Sequence, residues 1–364
     1  VGLYVDNVPY IDKSAFDFNY ADIERIEVLR GPQGTLYGRN TMAGLIRVHT
    51  KSPFSYQGTD VRLSAGTREQ YSASATHYHR ISDKFAFSAG GFYGYSGGFF
   101  KNSFRDKKID KMDEAGGRIR AICFTTENLK LDLTVNYEYS DQGGYPYFYT
   151  GTVDPEKEER SQYIVKISIN DKSNYRRNLL NTGLNIEYQA NNFVLSAVTG
   201  YQHMKDRMFL DQDFTEQDLF NIEQKQKLNT ISEEIVFKSK PGKNWQWATG
   251  AFGFYQWLRT DAPVTFKRKG IDEMIEGNVN DIFANFPPNV PSMSMKVNND
   301  PHLLVNDGFD TPTWNGAIYH QSTFNNIFIQ GLSFTAGLRL DYEKNSIKYD
   351  CGSDINFDFK VYKE

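Results

Sequence analysis

The sequence predicts an antiparallel membrane β-barrel, incomplete at about eleven strands, with a small α/β unit ahead of it. Three observations lead there. Apolar residues recur at every second position from Thr59 onward, the period of a strand with two unlike faces. The joints between these runs alternate short and long, as tight periplasmic turns and longer external loops do in outer-membrane barrels. Aromatic residues make up 15% of the chain, with 23 Tyr and 27 Phe, although 24% of residues are charged and mean hydropathy is -0.58. A barrel with aromatic girdles, a polar lumen and wet loops uses both kinds of residue.

Taken in order, the first 53 residues read as mixed structure. Gly2 to Tyr10 looks like a strand and a turn, Asp22 like the start of a short helical turn, and Ile26 to Arg30 like a strand. A glycine-punctuated loop over Gly31, Gly34 and Gly38 follows, then a strand from Leu45 to Lys51. From residue 54 to 364 the strand period dominates. The clearest rows are Phe85-Phe87-Ala89-Gly91-Tyr93-Tyr95 and Leu129-Leu131-Leu133-Val135-Tyr137-Tyr139, with later ones at Leu180 to Tyr188, Phe193 to Tyr201 and Phe334 to Tyr342. The first strand is expected near Thr59 to Gly66 and the last near Leu332 to Glu343. Runs of about ten residues are long enough to cross a bilayer when tilted. Tight joints fall near Ile81 to Lys84, Thr125 to Asn128, Gln189 to Asn192, Lys238 to Asn244 and Asn325-Asn326. Long joints fall at Ser96 to Asp113, Ser140 to Asn178, Met204 to Gln226 and Thr260 to Gly316. An odd count of strands leaves an unpaired edge that hydrocarbon does not tolerate, so the wall is expected to continue beyond this sequence.

Several classes are disfavoured. No run of 18 apolar residues exists for a helical span. A net charge of -4 with scattered Lys and Arg gives no basic patch for nucleic acid. Cys123 and Cys351 are too far apart for a metal motif or a disulfide framework, and Cys123 shares an apolar face with Ile119 and Ala121. Gly94-Tyr95-Ser96-Gly97-Gly98 matches a nucleophile-elbow pattern, but no helix is expected after it. His77 and His79 share a strand face without a third ligand. Asp211, Asp213, Glu216 and Asp218 lack the glycine of a calcium loop and read as a solvated turn. No catalytic residue, metal or cofactor is expected.

Residues Val5 to Pro9, Ile23 to Thr41 and Gly44 to Pro53, with the run Glu27-Val28-Leu29-Arg30-Gly31-Pro32-Gln33-Gly34-Thr35-Leu36-Tyr37-Gly38 at their centre, closely resemble the plug domain of TonB-dependent receptors. Asn7 stands where many members have Gly, and Ala43 where a second Gly is common. The resemblance implies that residues 1–53 are the C-terminal part of a plug inside the lumen. It also implies that residues 54–364 are the first part of a barrel of twenty-two strands, and that a TonB box and the rest of the plug lie upstream of Val1. It implies that Glu27 and Arg30 lock the plug to the barrel wall, while Gly31, Gly34 and Gly38 supply backbone conformations closed to other residues. Partners would be the TonB energy-coupling complex, a small extracellular ligand and outer-membrane lipid, with no nucleic acid. Ligand capture would fall to Tyr145, Tyr147, Phe148 and Tyr149, with Phe99, Phe100, Trp257 and Arg259 as further candidates, although girdle or loop packing accounts for such residues too. The expected function is energised import of a scarce ligand such as a siderophore, haem, cobalamin or an oligosaccharide, in the outer membrane of a Gram-negative bacterium. Passive diffusion, surface adhesion and a soluble lectin are the alternatives.

Overall fold

The computed structural model of the protein describes residues 2–16, 22–31, 34, 43–148, 150 and 166–362. It contains a four-stranded sheet held against the concave side of a thirteen-stranded sheet. The smaller sheet comprises β1 (Gly2–Val5), β2 (Val8–Tyr10), β3 (Ile23–Arg30) and β4 (Gly44–Thr50) in the order β2-β1-β4-β3. Only β1 and β4 run parallel. The β1–β2 hairpin turns on Asp6 (φ 46°) and Asn7 (φ 71°), a left-handed pair that Asp and Asn tolerate better than other side chains. This is why Asn is accommodated at position 7. The helical turn expected at Asp22 is instead at Lys13–Ala15, where Asp12 accepts from the Ser14 N–H at 2.8 Å; Asp22 directly precedes β3.

The large sheet is an antiparallel meander. Its wall strands are β5 (Gly58–Gly66), β6 (Gln70–Arg80) and β7 (Phe85–Ser96), then, after a small hairpin of β8 (Lys101–Asn102) and β9 (Lys107–Lys108), β10 (Met112–Thr126). Next come β11 (Leu129–Gln142), β12 (Asn174–Gln189), β13 (Phe193–Asp211), β14 (Phe220–Ser239) and β15 (Trp245–Asp261). The short β16 (Val264–Lys267) extends the sheet above β15, and a helical segment over residues 268–284 leads to β17 (Ser292–Val297). β18 (His302–Asn325) then pairs with β15, and β19 (Ser333–Asn345) and β20 (Lys348–Ser353) both pair with β18. β21 (Phe357–Tyr362) pairs with β17.

The strands are longer than the apolar period suggests. β18 has 24 residues, a reach of roughly 80 Å where a tilted crossing uses about ten residues. The joint expected at residues 204–226 shrinks to 212–219, and the one at 260–316 contains β16, the helical segment and β17. Above the bilayer neither strand face meets hydrocarbon, so ladder pairing continues while the apolar alternation stops.

The two faces separate cleanly. Outward-facing aromatics form two belts. Trp245 stacks on Phe324 and Phe193 lies against Phe237 near the tight turns. Tyr255 with Trp257 and Trp314 with Tyr342 mark the far side. Ile235, Ile318, Leu338 and Leu340 lie exposed between the belts, as a hydrocarbon-facing band requires. The inward face is polar, with Thr134, Asn136, Gln202 and Ser232 buried under the small sheet.

Two apolar contacts seat the small sheet. Leu3, Val5, Tyr10, Ala15 and Val48 join Leu179, Met204 and Leu228 of the wall, while Ile11 joins Phe252, Phe254 and Ala317. Val8 enters a notch made by two glycines that face each other in register, Gly183 and Gly200. A Cβ on Gly183 would sit 2.2 Å from a Val8 methyl carbon, and one on Gly200 3.1 Å from the other. Gly183→Val should therefore unseat the hairpin tip at a cost of about 1–3 kcal/mol. Proteolysis of the small sheet in the intact receptor should accelerate, while the heat-resistant barrel band on a gel should persist.

Candidate functional site, the plug seat and the external rim

The strongest polar contacts between the sheets come from β10. Arg118 and Arg120 are two residues apart and thus both project inward, where the wall meets Asp6, Asp22 and Thr50. The Arg118 guanidinium donates to the Asp6 carboxylate and lies 3.3 Å from the Asp22 carboxylate. Arg120 donates in a fork to Asp132 of β11 at 3.0 and 2.8 Å, and to the Thr50 hydroxyl and carbonyl at 2.9 and 3.1 Å. Thr50 completes the knot by donating its N–H and hydroxyl to Asp6 at 2.9 and 2.7 Å. The two arginine side chains are 9% exposed and the two plug aspartates 5%, so these ions depend on one another for solvation.

The aspartates respond in opposite directions. Burial pushes the Asp6 carboxyl up, but Arg120, Arg118 and the Thr50 hydrogen bonds outweigh it and hold Asp6 below its ordinary value. At Asp22 burial dominates, Arg118 offsets part of it, and the nearby Asp6 charge adds to it, so its value is raised. Farther along the wall, Arg177 donates to the Ser14 carbonyl at 3.1 Å while paired with Glu138 at 2.7 Å. Asn185 donates to the Asp6 carbonyl at 3.1 Å, and Gln256 to Asp12 at 3.3 Å. On the periplasmic side a cavity of about 460 Å³ separates the sheets, with Asn7, Arg47 and His49 facing Lys130, Glu187 and Lys238.

The residues singled out in the sequence fall in three places. Glu27 accepts from Arg25 and Arg47 at 2.9 and 3.0 Å and lies 3.3 Å from His49, all within the small sheet. Arg30 ends β3 in an exposed position, Gly31 has φ +83°, and Gly34 has open space around it. Gly38 and Tyr149 lie outside the described residues. At the external rim Tyr145 stacks on Tyr147 at 6.0 Å, and Tyr147 meets Phe214 edge-on at 5.0 Å. Tyr147 and Phe148 are 56% and 42% exposed. Phe99 and Phe100 have their N–H groups tied to Asp110 at 2.9 Å, with Arg68 over the Phe99 ring at 4.8 Å. Gln256 and Leu258 point at the small sheet, so their neighbours Trp257 and Arg259 face outward. Asp211 also differs from expectation, being buried at 1% exposure rather than solvated.

Sequence reasoning missed Asp6, Asp22, Thr50, Arg118 and Arg120. A signal existed: Arg118 and Arg120 put two cations in the inward row of a wall strand, where the partner carboxylates must come from whatever fills the lumen.

A lipid-facing wall whose lumen carries a small mixed sheet on buried ion pairs defines a plugged outer-membrane barrel. Residues 1–45 match the family model of the TonB-dependent receptor plug domain. The pesticin receptor of Yersinia pestis is 37% identical over 71 residues, 20% of this chain and 10% of that protein. The vitamin B12 transporter of Vibrio vulnificus is 43% identical over 77 residues, 21% of this chain and 12% of that protein. Among solved structures, the ferric yersiniabactin uptake receptor of Yersinia pestis superposes with a TM-score of 0.73 at 16% identity, over 98% of this chain and 51% of that one. The ferripyoverdine receptor of Pseudomonas aeruginosa follows at 0.60 and 14%, over 99% and 48%. At such identities the structural likeness establishes the fold. The chain spans about half the length of these receptors.

The opposed carboxylates set an acid response. Asp6 contributes stability above its unfolded value, about 3.8, and loses it as pH falls through its lower folded value. Asp22 works the other way, since its burial penalty disappears as pH falls through its raised folded value. Plug seating, followed by hydrogen exchange of β1 and β4, should hold or tighten from pH 7 to about 5 and fail below about pH 4. Asp6→Asn should cost about 3–5 kcal/mol by orphaning buried arginines, whereas Asp22→Asn should stay within about 1 kcal/mol.

Proposed function

We propose that this chain forms part of a receptor that imports a scarce extracellular ligand across the outer membrane with energy delivered by TonB. The observation that carries the reading is the seat itself, a plug held in the lumen by buried but separable ions. A charge-assisted contact between Arg118 or Arg120 and Asp6 is strong while dry. It loses its advantage once either partner is pulled toward water, so a mechanical pull converts a shut lumen into a path. A passive porin has no use for such a seat, which is why import is favoured over diffusion. The names of the relatives and structural neighbours point to siderophores and cobalamin as the ligand class.

In this reading residues 1–53 are plug and 54–364 wall, with further strands covering the free edges of β5 and β19 to a total of twenty-two. The exposed side of β3, with Ile26 and Val28 at 55% and 62% exposure, would face those strands. The locking role of Glu27 and Arg30 belongs there, and Gly31, Gly34 and Gly38 would shape the same loop. Tyr145, Tyr147 and Phe148, with Phe214 beside them and Tyr149 following, are the ligand contacts we favour, since flat aromatic faces suit large planar or chelated ligands. Phe99 and Phe100 support the rim.

Uptake of labelled ferric siderophores and cobalamin should be measured in cells carrying the whole receptor gene, with and without TonB. Uptake of one of them should vanish without TonB; uptake that is unaffected would leave only the porin. Tyr145→Ala combined with Tyr147→Ala should weaken ligand binding about tenfold or more, roughly 1.4 kcal/mol, with barrel assembly unchanged.

A further inference from the structure

The acidic residues between β13 and β14 do not all face water, because the end of the β11–β12 loop is stitched to them. Ser168 donates to Glu216, and the Asn170 side chain donates to Asp218 at 3.3 Å. The Asn170 N–H donates to the Thr215 carbonyl at 3.1 Å, the Asp171 N–H to Asp211 at 3.3 Å, and the Asp211 N–H to the Ser173 hydroxyl at 3.1 Å. Asn221, near the start of β14, donates to Asp171 at 3.0 Å. Asp171, Asp211, Asp213, Glu216 and Asp218 thus gather where two loops meet, and among the described residues none of them forms an ion pair with Lys or Arg. The surrounding cations are engaged or turned to water: Arg105 donates to the Asn170 carbonyl at 2.9 Å, Arg207 is paired with Glu223, and Lys166 and Lys172 are exposed.

Asp211 is 1% exposed, and its Oδ1 atom has no hydrogen-bond donor. The Oδ2 atom of Asp213 is also buried and without a donor, while its Oδ1 takes the N–H and hydroxyl of Thr215 at 2.8 and 2.6 Å. The two carboxyl groups are within hydrogen-bonding reach of each other. A buried acceptor left without a donor is costly, and two anions side by side are costlier. One proton removes both faults, because a protonated carboxyl donates to the carboxylate opposite and a single charge remains to be buried. Among the described residues no group of three or more metal-ligating side chains is placed to hold a metal ion. Asp211 is the last residue of β13, above the row of Trp257 in the outer belt and so outside the membrane. Burial first, then the charges of Asp213 and Asp171, push its carboxyl up to about 7.

We propose that Asp211 and Asp213 share one proton, and that this proton latches the β11–β12 and β13–β14 loops together. The latch bears on the aromatic rim. Phe214, directly after Asp213, is held at φ 54°, a backbone region that an aromatic residue rarely adopts, and its ring meets Tyr147 edge-on at 5.0 Å. Losing the proton sets two anions against each other at the base of that turn and frees Phe214 from Tyr147. The closed loops raise the Asp211 value above the ordinary 3.8 of a solvated carboxyl. Closure is therefore strongest in acid, is lost progressively as pH rises through the raised value, and changes no further above it. Any effect on ligand affinity rests on the rim being the ligand contact; the latch itself does not.

The test follows hydrogen exchange of residues 166–173 and 211–219 in the whole receptor in detergent, from about pH 5 to about pH 8, corrected for the intrinsic pH dependence of exchange. Protection in the wild type should fall by about tenfold or more over that range, while the ladder between β13 and β14 below the loops stays unchanged. Asp211→Asn supplies the missing donor without a titrating group, and it should keep the wild type's low-pH protection throughout. Asp213→Asn offers the same donor from the other side and is scored identically should the first variant fail to assemble. Flat protection in the wild type overturns the latch, as does a variant that repeats the wild-type fall. Recovery of protection at the upper pH on adding calcium, reversed by a chelator, overturns it too, since the pair would then hold a cation in place of the proton. Ligand uptake plays no part in the readout, so the latch and the import reading fail separately.

Discussion

Each wall strand must satisfy two surroundings at once. One face meets hydrocarbon, which accepts no unpaired polar group; the other meets a lumen filled with folded protein. Backbone pairing therefore runs along every interior strand of the meander, and side-chain chemistry splits by parity. Ile235 and Leu340 face lipid, while Glu234 on the same strand as Ile235 receives the Tyr319 hydroxyl at 2.7 Å inside.

The plug is held by both kinds of contact, and they do different things. Apolar contacts such as Val8 against Gly183 and Gly200 set position, because the fit is lost with a small shift. The Asp6, Asp22, Arg118 and Arg120 cluster adds little net stability once desolvation is counted. Its effect is directional: removing Asp6 or either arginine leaves the others buried and costly, so the seat favours an all-or-none release over gradual loosening.

The same registers organise the outside. The row that touches the plug core, Met204, Leu228 and Leu258, is flanked by the outward cations Lys205, Lys227 and Arg259. Plug contacts and outward cations thus occupy adjacent rows of β13, β14 and β15.

Much of this architecture is legible in the order of residues alone. The dyads of β7, β11, β12, β13 and β19 and the alternation of tight and long joints follow from local chemistry, since a strand with one face in lipid has to write that face into every second residue. The plug motif is legible for a similar reason, as Asp6-Asn7 and Gly31 encode backbone conformations in their own residue types. Strand length above the bilayer is not legible, because pairing in water leaves no periodic mark. Nor is the seat, since Arg118 and Asp6 are 112 residues apart and neither shows locally that it has a partner. Whether Arg259 faces ligand or lipid is a matter of parity, and parity acquires meaning only when the plug shows which side is in. Local sequence determined the periods and turns; the tertiary structure alone decided which charges meet, because burial and pairing are properties of the assembled faces.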